Sequence, residues 1–412
     1  MRAKERFVDL GRTRFVFPLV SLLLLAPCYW QPRLQAGDLS SHINNSWLSQ
    51  LIESGRPEGL TIVNQTTNIL FDLILGGLFR LVGAEAAQRI GVSLAVLIFT
   101  WGAFAFIGAV GGRRPWHLLP CLAMLAYGWV FHMGFFNFYL SLGLCFWGMA
   151  LVWEMKPRRI LLAVPIFLLA YVAHALPVLW TAGLLIYVGV ARRMKPFHRA
   201  LLTASFVIVL ITIHSIAARV MYVRWSPVQI TLSTGLDQVW VFDTKYYVVL
   251  MGLLVVWALM FLGLVRLWGP RQVVGSVPFQ LCILSAAAVL ILPDTVLIPG
   301  FINALGYIAE RMSLGVAVCV CAMLGTVQPK RLERWALVAV AAVFFCFVYL
   351  DERALNSFED RMEYVVSQLA PAHRAVTAAP ASGHLNCPIR PYGQERPASP
   401  SGSIPPVRHT ST

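Results

Sequence analysis

Asp38, His42, Asn45 and Ser49 recur at spacings of four, three and four. On a helix they form one polar row. A carboxylate in such a row can act as a base and take a proton from an attacking hydroxyl. His42, one turn on, can orient Asp38 or share a metal with it. Asn45 can hydrogen-bond a hydroxyl of a polar ligand. Each also has a plainer reading, with Asp38 as a helix cap and His42 and Asn45 as hydrogen-bonding surface residues.

The stretch 37–55 must position that row, and it reads as a helix. Asp38 suits an N-cap, and Gly55 suits the stop. Leu39, Ile43, Trp47 and Leu51 form an apolar stripe on nearly the opposite side. Such a helix can lie on a membrane surface, with its polar row turned to water or to an outward cavity.

Other residues have the chemistry to join it. Asp72 lies in the apolar segment 68–83, where a carboxylate is costly unless paired. Arg80, two turns on, or a residue of another helix would be its partner. Glu310 and Arg311 stand at the entrance of an apolar segment. A guanidinium there can grip a phosphate or diphosphate with two donors, or form a local ion pair. Arg224 beside Trp225, and Asp243 beside Lys245, repeat the idea more weakly. His132 and Asn137 lie at one turn between apolar segments and His174 at another; both turns could floor an outer cavity.

The composition indicates what kind of chain carries these groups. Of 412 residues, 58% are hydrophobic and 13% are charged, against roughly 25% charged in soluble domains. The apolar residues fall in long blocks, which reads as an all-α polytopic membrane bundle. About eleven spans can be drawn, at about 15–31, 90–111, 116–131, 135–153, 159–173, 177–191, 200–221, 247–265, 279–293, 309–326 and 335–350. The segment 68–83 is short for the roughly 20 residues that a span needs, and is read as a second interfacial or re-entrant helix. The basic N-terminus resembles a signal peptide but is read as leading into an uncleaved span.

The net charge of +14 could suggest nucleic acid. The basic residues sit instead in short clusters between apolar blocks, as in cytoplasmic loops. With the N-terminus inside, nineteen Lys and Arg fall on inner connections, eight on outer ones and six in the tail. The long connections 32–89, 222–246 and 294–308 are then outer, and function is expected there. Residues 1–350 make the bundle, and 351–412 an outer tail that reads as disordered from about Ala370. Seven of eight cysteines lie in or beside apolar blocks as packing residues, so there is no disulfide framework and no metal-binding cysteine set.

The order of parts resembles the GT-C superfamily of polytopic glycosyltransferases, which use polyprenyl-phosphate-linked sugars. The resemblance covers about 30–155. It rests on a basic N-terminus, one span, an outer loop opening with Asp38, an interfacial helix, and LILGGLFRLVGAEAAQRIGVSLAVL leading into the second span. Many members carry a paired acidic motif, whereas Leu39 and Ser40 follow Asp38 here. The resemblance implies an inner-membrane transferase with Asp38 as base, a lipid-linked sugar as donor and an outward site. Membrane lipids are the implied surroundings. A divalent metal is the alternative to no cofactor. A transporter or flippase, or a non-enzymatic assembly component, remain as other readings. The lack of an internal repeat and of mid-bundle charges other than His214 speaks against a carrier.

The charge bias makes a prediction. A periplasm-active reporter fused at Asn45 should be active and one fused at Arg193 silent; the reverse pattern would invert the topology.

Overall fold

The computed structural model describes residues 15–55, 62, 65–297 and 305–368. The expected basic N-terminus and most of the tail lie outside the described residues. A compact unit runs through Arg361, and a second begins at Met362.

The described residues are mainly helical. Among them four helices are long and apolar enough to cross a membrane: α4 (Ala84–Gly111), α10 (Pro196–Val220), α12 (Tyr247–Trp268) with the turn Thr244–Tyr246 before it, and α16 (Arg331–Ser367). Shorter apolar helices are α1 (Phe15–Cys28), α7 (Phe136–Val152), α9 (Ala175–Ala191) and α14 (Val277–Ile291). These apolar helices suggest a membrane protein. The remaining helices are α2 (Leu39–Glu53), α3 (Leu70–Val82), α5 (Leu119–Ala126), α6 (Trp129–His132), α8 (Pro157–Ala173), α11 (Gln229–Leu232), α13 (Pro270–Val274) and α15 (Ile308–Leu324). One antiparallel ribbon pairs β1 (Tyr222–Arg224) with β2 (Thr295–Leu297).

Local rules explain many of the boundaries. Helices α8, α10 and α13 each begin at a proline, whose missing N–H is an orphan at that position in any case. The expected single span over 116–131 is not one helix. It divides into a 3-10 turn at Trp116–Leu118, α5 and the single turn α6. Gly128 is extended at the break. A Cβ there would come within 3.3 Å of the Gln238 carbonyl carbon, so the backbone of the outer segment 236–239 comes close enough to need a glycine.

The core centres on α4, α7 and α15. Helices α4 and α7 cross where Gly102 faces the backbone of Gly143, and a Cβ on Gly143 would stand 2.7 Å from Phe99 Cα. Small residues at such crossings let helix backbones approach closely. Phe99 stacks on Tyr139 at 4.5 Å beside this contact. By contrast, α10 has no buried residue at all.

Helix α16 is about 55 Å long at 1.5 Å per residue, well beyond the roughly 30 Å of a bilayer core. The expected boundary at 350 falls inside it. Its continuation holds the chain that follows α1. Trp30 donates to Glu352, Arg33 Nη1 bonds Asp360 at 2.6 Å, and Gln35 donates to Glu359 at 3.0 Å. Asn356 exchanges bonds with the Arg33 backbone at 2.8 and 3.1 Å.

Replacing Gly143 by Ala should cost about 1–3 kcal/mol through overpacking. Thermal unfolding in detergent would read this as a lower Tm, and an unchanged Tm would contradict the tight crossing.

Candidate functional site

Helix α2 forms nearly where the sequence places it, with Asp38 at its N-cap position and Gly55 beyond its end at φ +71°. Its buried residues are Leu39, His42 and Ser46, and Trp47 of the apolar stripe is 53% exposed, so His42 of the polar row is turned into the protein. The reason is Asp72 on α3, the helix that α2 packs against. A carboxylate among apolar residues draws polar partners toward it, and α2 turns His42 and Ser46 to meet it.

Asp72 is satisfied from two elements. His42 Nδ1 lies 2.8 Å from its Oδ1. Asn137 Nδ2 donates to its Oδ2 at 2.8 Å. Asn137, 2% exposed, also donates to the Asn68 carbonyl at 3.0 Å and accepts from the Phe71 N–H at 2.7 Å. The Ser46 hydroxyl reaches the Asp72 carbonyl at 3.4 Å. Of the two kinds of partner expected for Asp72, residues of other helices meet it, while Arg80 turns to Glu53 at the far end of α2.

Asp38 does not work as a side-chain cap, since its carboxylate takes no capping hydrogen bond. The side chain is 46% exposed, with Oδ2 3.8 Å from His42 Nε2. Its backbone is held firmly. Gly37 N–H donates to the His132 carbonyl at 2.7 Å and Asp38 N–H to that of Met133 at 3.0 Å. The turn between α6 and α7 makes this docking possible at Gly134, where φ is +78° and a Cβ would stand 2.8 Å from Leu39 N.

Arg311 comes to the same region from the first turn of α15. Its guanidinium lies 3.8 Å from the centre of the Phe135 ring, a stacked cation–π contact. Its buried Nε has no hydrogen-bond partner. Among the carboxylates, Asp38 acts most strongly on its charge, ahead of Glu310. Tyr307, the residue before α15, holds a left-handed φ of +57° and rests its ring against Trp129 and Phe135, both at 5.9 Å. A non-glycine residue in that conformation is strained and must be held by its surroundings.

The other candidates divide. His174 caps α9, accepting from Leu176 N–H at 3.2 Å. Burial, and then the charge of Arg311, push it down to about 4. Glu310 does not face Asp38; its carboxyl meets that of Asp294. Asn45 is exposed on α2 and outside the Asp72 network. Arg224 is exposed on β1 and contributes its carbonyl, which accepts from Asp294 N–H at 2.8 Å. His132 gives the cluster its carbonyl only. Its ring is sealed between Phe242 and Glu352, 3.8 Å from that carboxylate, and burial pushes it down to about 3.

Asp237 and Asp294 were not foreseen. Asp237 accepts from Ser313 at 2.6 Å and Gln238 at 2.9 Å, and burial pushes it up to about 7. The adjacency of Asp237 and Gln238 in an outer segment was the one available signal. Among the described residues no group of three or more His, Cys, Asp or Glu is arranged to hold a metal ion.

Two hollows lie elsewhere. One of about 430 Å³ opens at the α3–α4 corner beside Gly83, Glu85 and Arg89. The other, about 270 Å³ and apolar, runs between α1, α5 and α16 beside Leu24, Trp30, Tyr127 and Phe345. The expected hollow under Asp38 is neither of these. No family model, curated protein or solved structure matches the chain.

His42 generates a pH dependence. Burial lowers its proton affinity, but the Asp72 hydrogen bond and the charges of Asp72 and Asp38 outweigh this and hold it above 6.5. The folded state therefore binds this proton more tightly than the unfolded state. The resulting stabilisation is full below pH 6.5 and is lost as the pH rises through the folded value. The Tm advantage of the wild type over His42→Gln in detergent should shrink as the pH is raised above 6.5. An advantage that grows would refute the assignment.

Proposed function

We propose that this chain is a membrane glycosyltransferase of the GT-C kind, with Asp38 as the base that takes the acceptor's proton. The observation that carries this reading is that two opposite charges act on one another without forming an ion pair. Asp38 is a half-exposed carboxylate with no capping bond, and Arg311 is a largely buried guanidinium with an unpartnered Nε. A base and an anion grip within electrostatic reach of one another suit transfer from a lipid phosphate to a hydroxyl. Arg311 would hold the phosphate and Asp38 would face the acceptor. His42 and Asp72 stand behind Asp38, and Asn137 behind Asp72.

The membrane arrangement belongs to the same proposal. The chain has about eleven short and long spans, with its N-terminus in the cytoplasm, its C-terminus outside, and the site facing outward from the inner membrane. Asp294 makes a second acid available through Glu310, on a later outer segment. The half-open Asp38 side chain counts against a purely structural role, in which a carboxylate would be spent on a backbone N–H.

Asp38→Asn should lower transfer from a polyprenyl-phosphate sugar in membranes by about 10²–10⁴-fold, the usual effect of removing a general base. Arg311→Ala should raise the donor KM. Full activity in Asp38→Asn membranes would remove this residue from the chemistry.

A further inference from the structure

The strongest unexplained feature of the site is the ring of His42. Every group facing it is an acceptor or neutral. Asp72 of α3 stands 2.8 Å from Nδ1, and Asp38 at the start of α2 stands 3.8 Å from Nε2. The Gly134 carbonyl, from the turn before α7, is a further acceptor beside the ring. Phe71 of α3 meets the ring edge to face at 5.2 Å and contributes no charge. Asn137 of α7 is neutral and is turned to Asp72. The positive group of the site, Arg311, acts on Asp38 from α15.

A neutral imidazole has one N–H and one lone pair. Here the lone pair would point at an oxygen whichever nitrogen carried the proton. A ring with both nitrogens protonated donates to Asp72 and faces Asp38 as an ion pair at 3.8 Å. Burial is the largest single influence and opposes the charge, but the Asp72 hydrogen bond, the charges of Asp72 and Asp38 and the Gly134 carbonyl together outweigh it.

We propose that His42 is a positioning residue in its imidazolium form, a cationic bridge that spans Asp72 and Asp38 and holds the Asp38 carboxylate ready as the base. The inference rests on the transferase reading for its function, but not for its geometry. Asp38 then lies between two cations, His42 and Arg311, with Asp72 balancing the first. When Asp38 takes a proton from the acceptor hydroxyl, that O–H bond breaks and its electron pair forms the new bond to the anomeric carbon of the sugar. The bond from that carbon to the phosphate oxygen breaks, and its electron pair leaves with the phosphate. The proton stays on the Asp38 carboxyl, so the protein's side of the site is left one charge more positive, facing the departing phosphate. No proton passes through His42. Its own loss of a proton at high pH would release Asp38 and end transfer, so His42 sets the alkaline limb of activity.

The test uses the full chain in lipid nanodiscs with ¹⁵N-labelled histidine, and His42→Gln to assign the signal. Both ring nitrogens should be protonated at pH 6, with a midpoint above 6.5. Asp72→Asn should lower that midpoint by at least about one pH unit, as expected for loss of a contacting opposite charge. Asp38→Asn, altered at a half-exposed position, should lower it by less, and keeps the test decisive should Asp72→Asn fail to fold. A single N–H at pH 6, or a midpoint unmoved by Asp38→Asn, overturns the bridge. In active membranes, the alkaline limb of transfer should follow the His42 midpoint. A limb that ignores the midpoint overturns the role in transfer while leaving the ring's charge intact. Transfer that is absent in wild-type membranes removes the transferase reading and leaves the spectroscopic result standing.

Discussion

One carboxylate organises the site. Asp72 sits in a helix of Leu, Ile, Phe, Gly and Val whose other charged residue, Arg80, is turned to Glu53, and leaving Asp72 unpaired would cost several kcal/mol. Its two oxygens are met by His42 of α2 and Asn137 of α7. Asn137 has no spare donor, since it also donates to Asn68 O and accepts from Phe71 N–H at the first turn of α3. Three helices are thus locked by hydrogen bonds that cannot be exchanged for water. The lock is rigid because α7 itself is pressed against α4 through Gly102 and Gly143. Asp38 inherits its position from this chain of constraints, as the residue that His42 can reach on its other side.

A second set of bonds holds the same residue through its backbone. The carbonyls of His132 and Met133 receive Gly37 and Asp38, and the turn that presents them is possible because Gly134 can adopt a positive φ. Behind that turn, Glu352 lies against Trp30 and the His132 ring. The long helix α16 therefore reaches past the bilayer's thickness to brace the start of the first loop against the rest of the bundle. The chain after α1 and the stretch of α16 from Glu352 to Asp360 thus meet beside that turn. In the proposed role these contacts would keep the geometry of the Asp38 carboxylate while its charge changes.

The charges around Asp38 form a balanced group. With His42 in the proposed imidazolium form, two carboxylates, an imidazolium and a guanidinium have no net charge, and in the proposed reaction the group would become positive as Asp38 takes up a proton. Arg311 is pre-placed by its contact with Phe135, and the strained Tyr307 holds the aromatic floor beside it. Preorganised charge of this sort stabilises a developing anion without further rearrangement.

The sequence by itself determined the helical character, the apolar blocks, the α2 and α3 helices and the residues worth watching, because these depend on composition and on local caps and glycines. It named Asp38, His42, Asp72, Asn137 and Arg311 individually. It could not say which way α2 would roll. Amphipathicity left the polar row free to face water or an outward cavity, and the fold turns His42 of that row, with Leu39 and Ser46, into the protein. The hydrophobic pattern of a helix counts apolar area, and it has no term for one buried carboxylate on a neighbour 30 residues away. Sequence spacing leaves Arg80 and a residue of another helix equally open as partners of Asp72, and only the adjacent Gln238 marks Asp237, while nothing near it in the chain marks Asp294. Tertiary structure decided these matters, since the cost of an unpaired charge is settled by whichever donor the fold brings within about 3 Å.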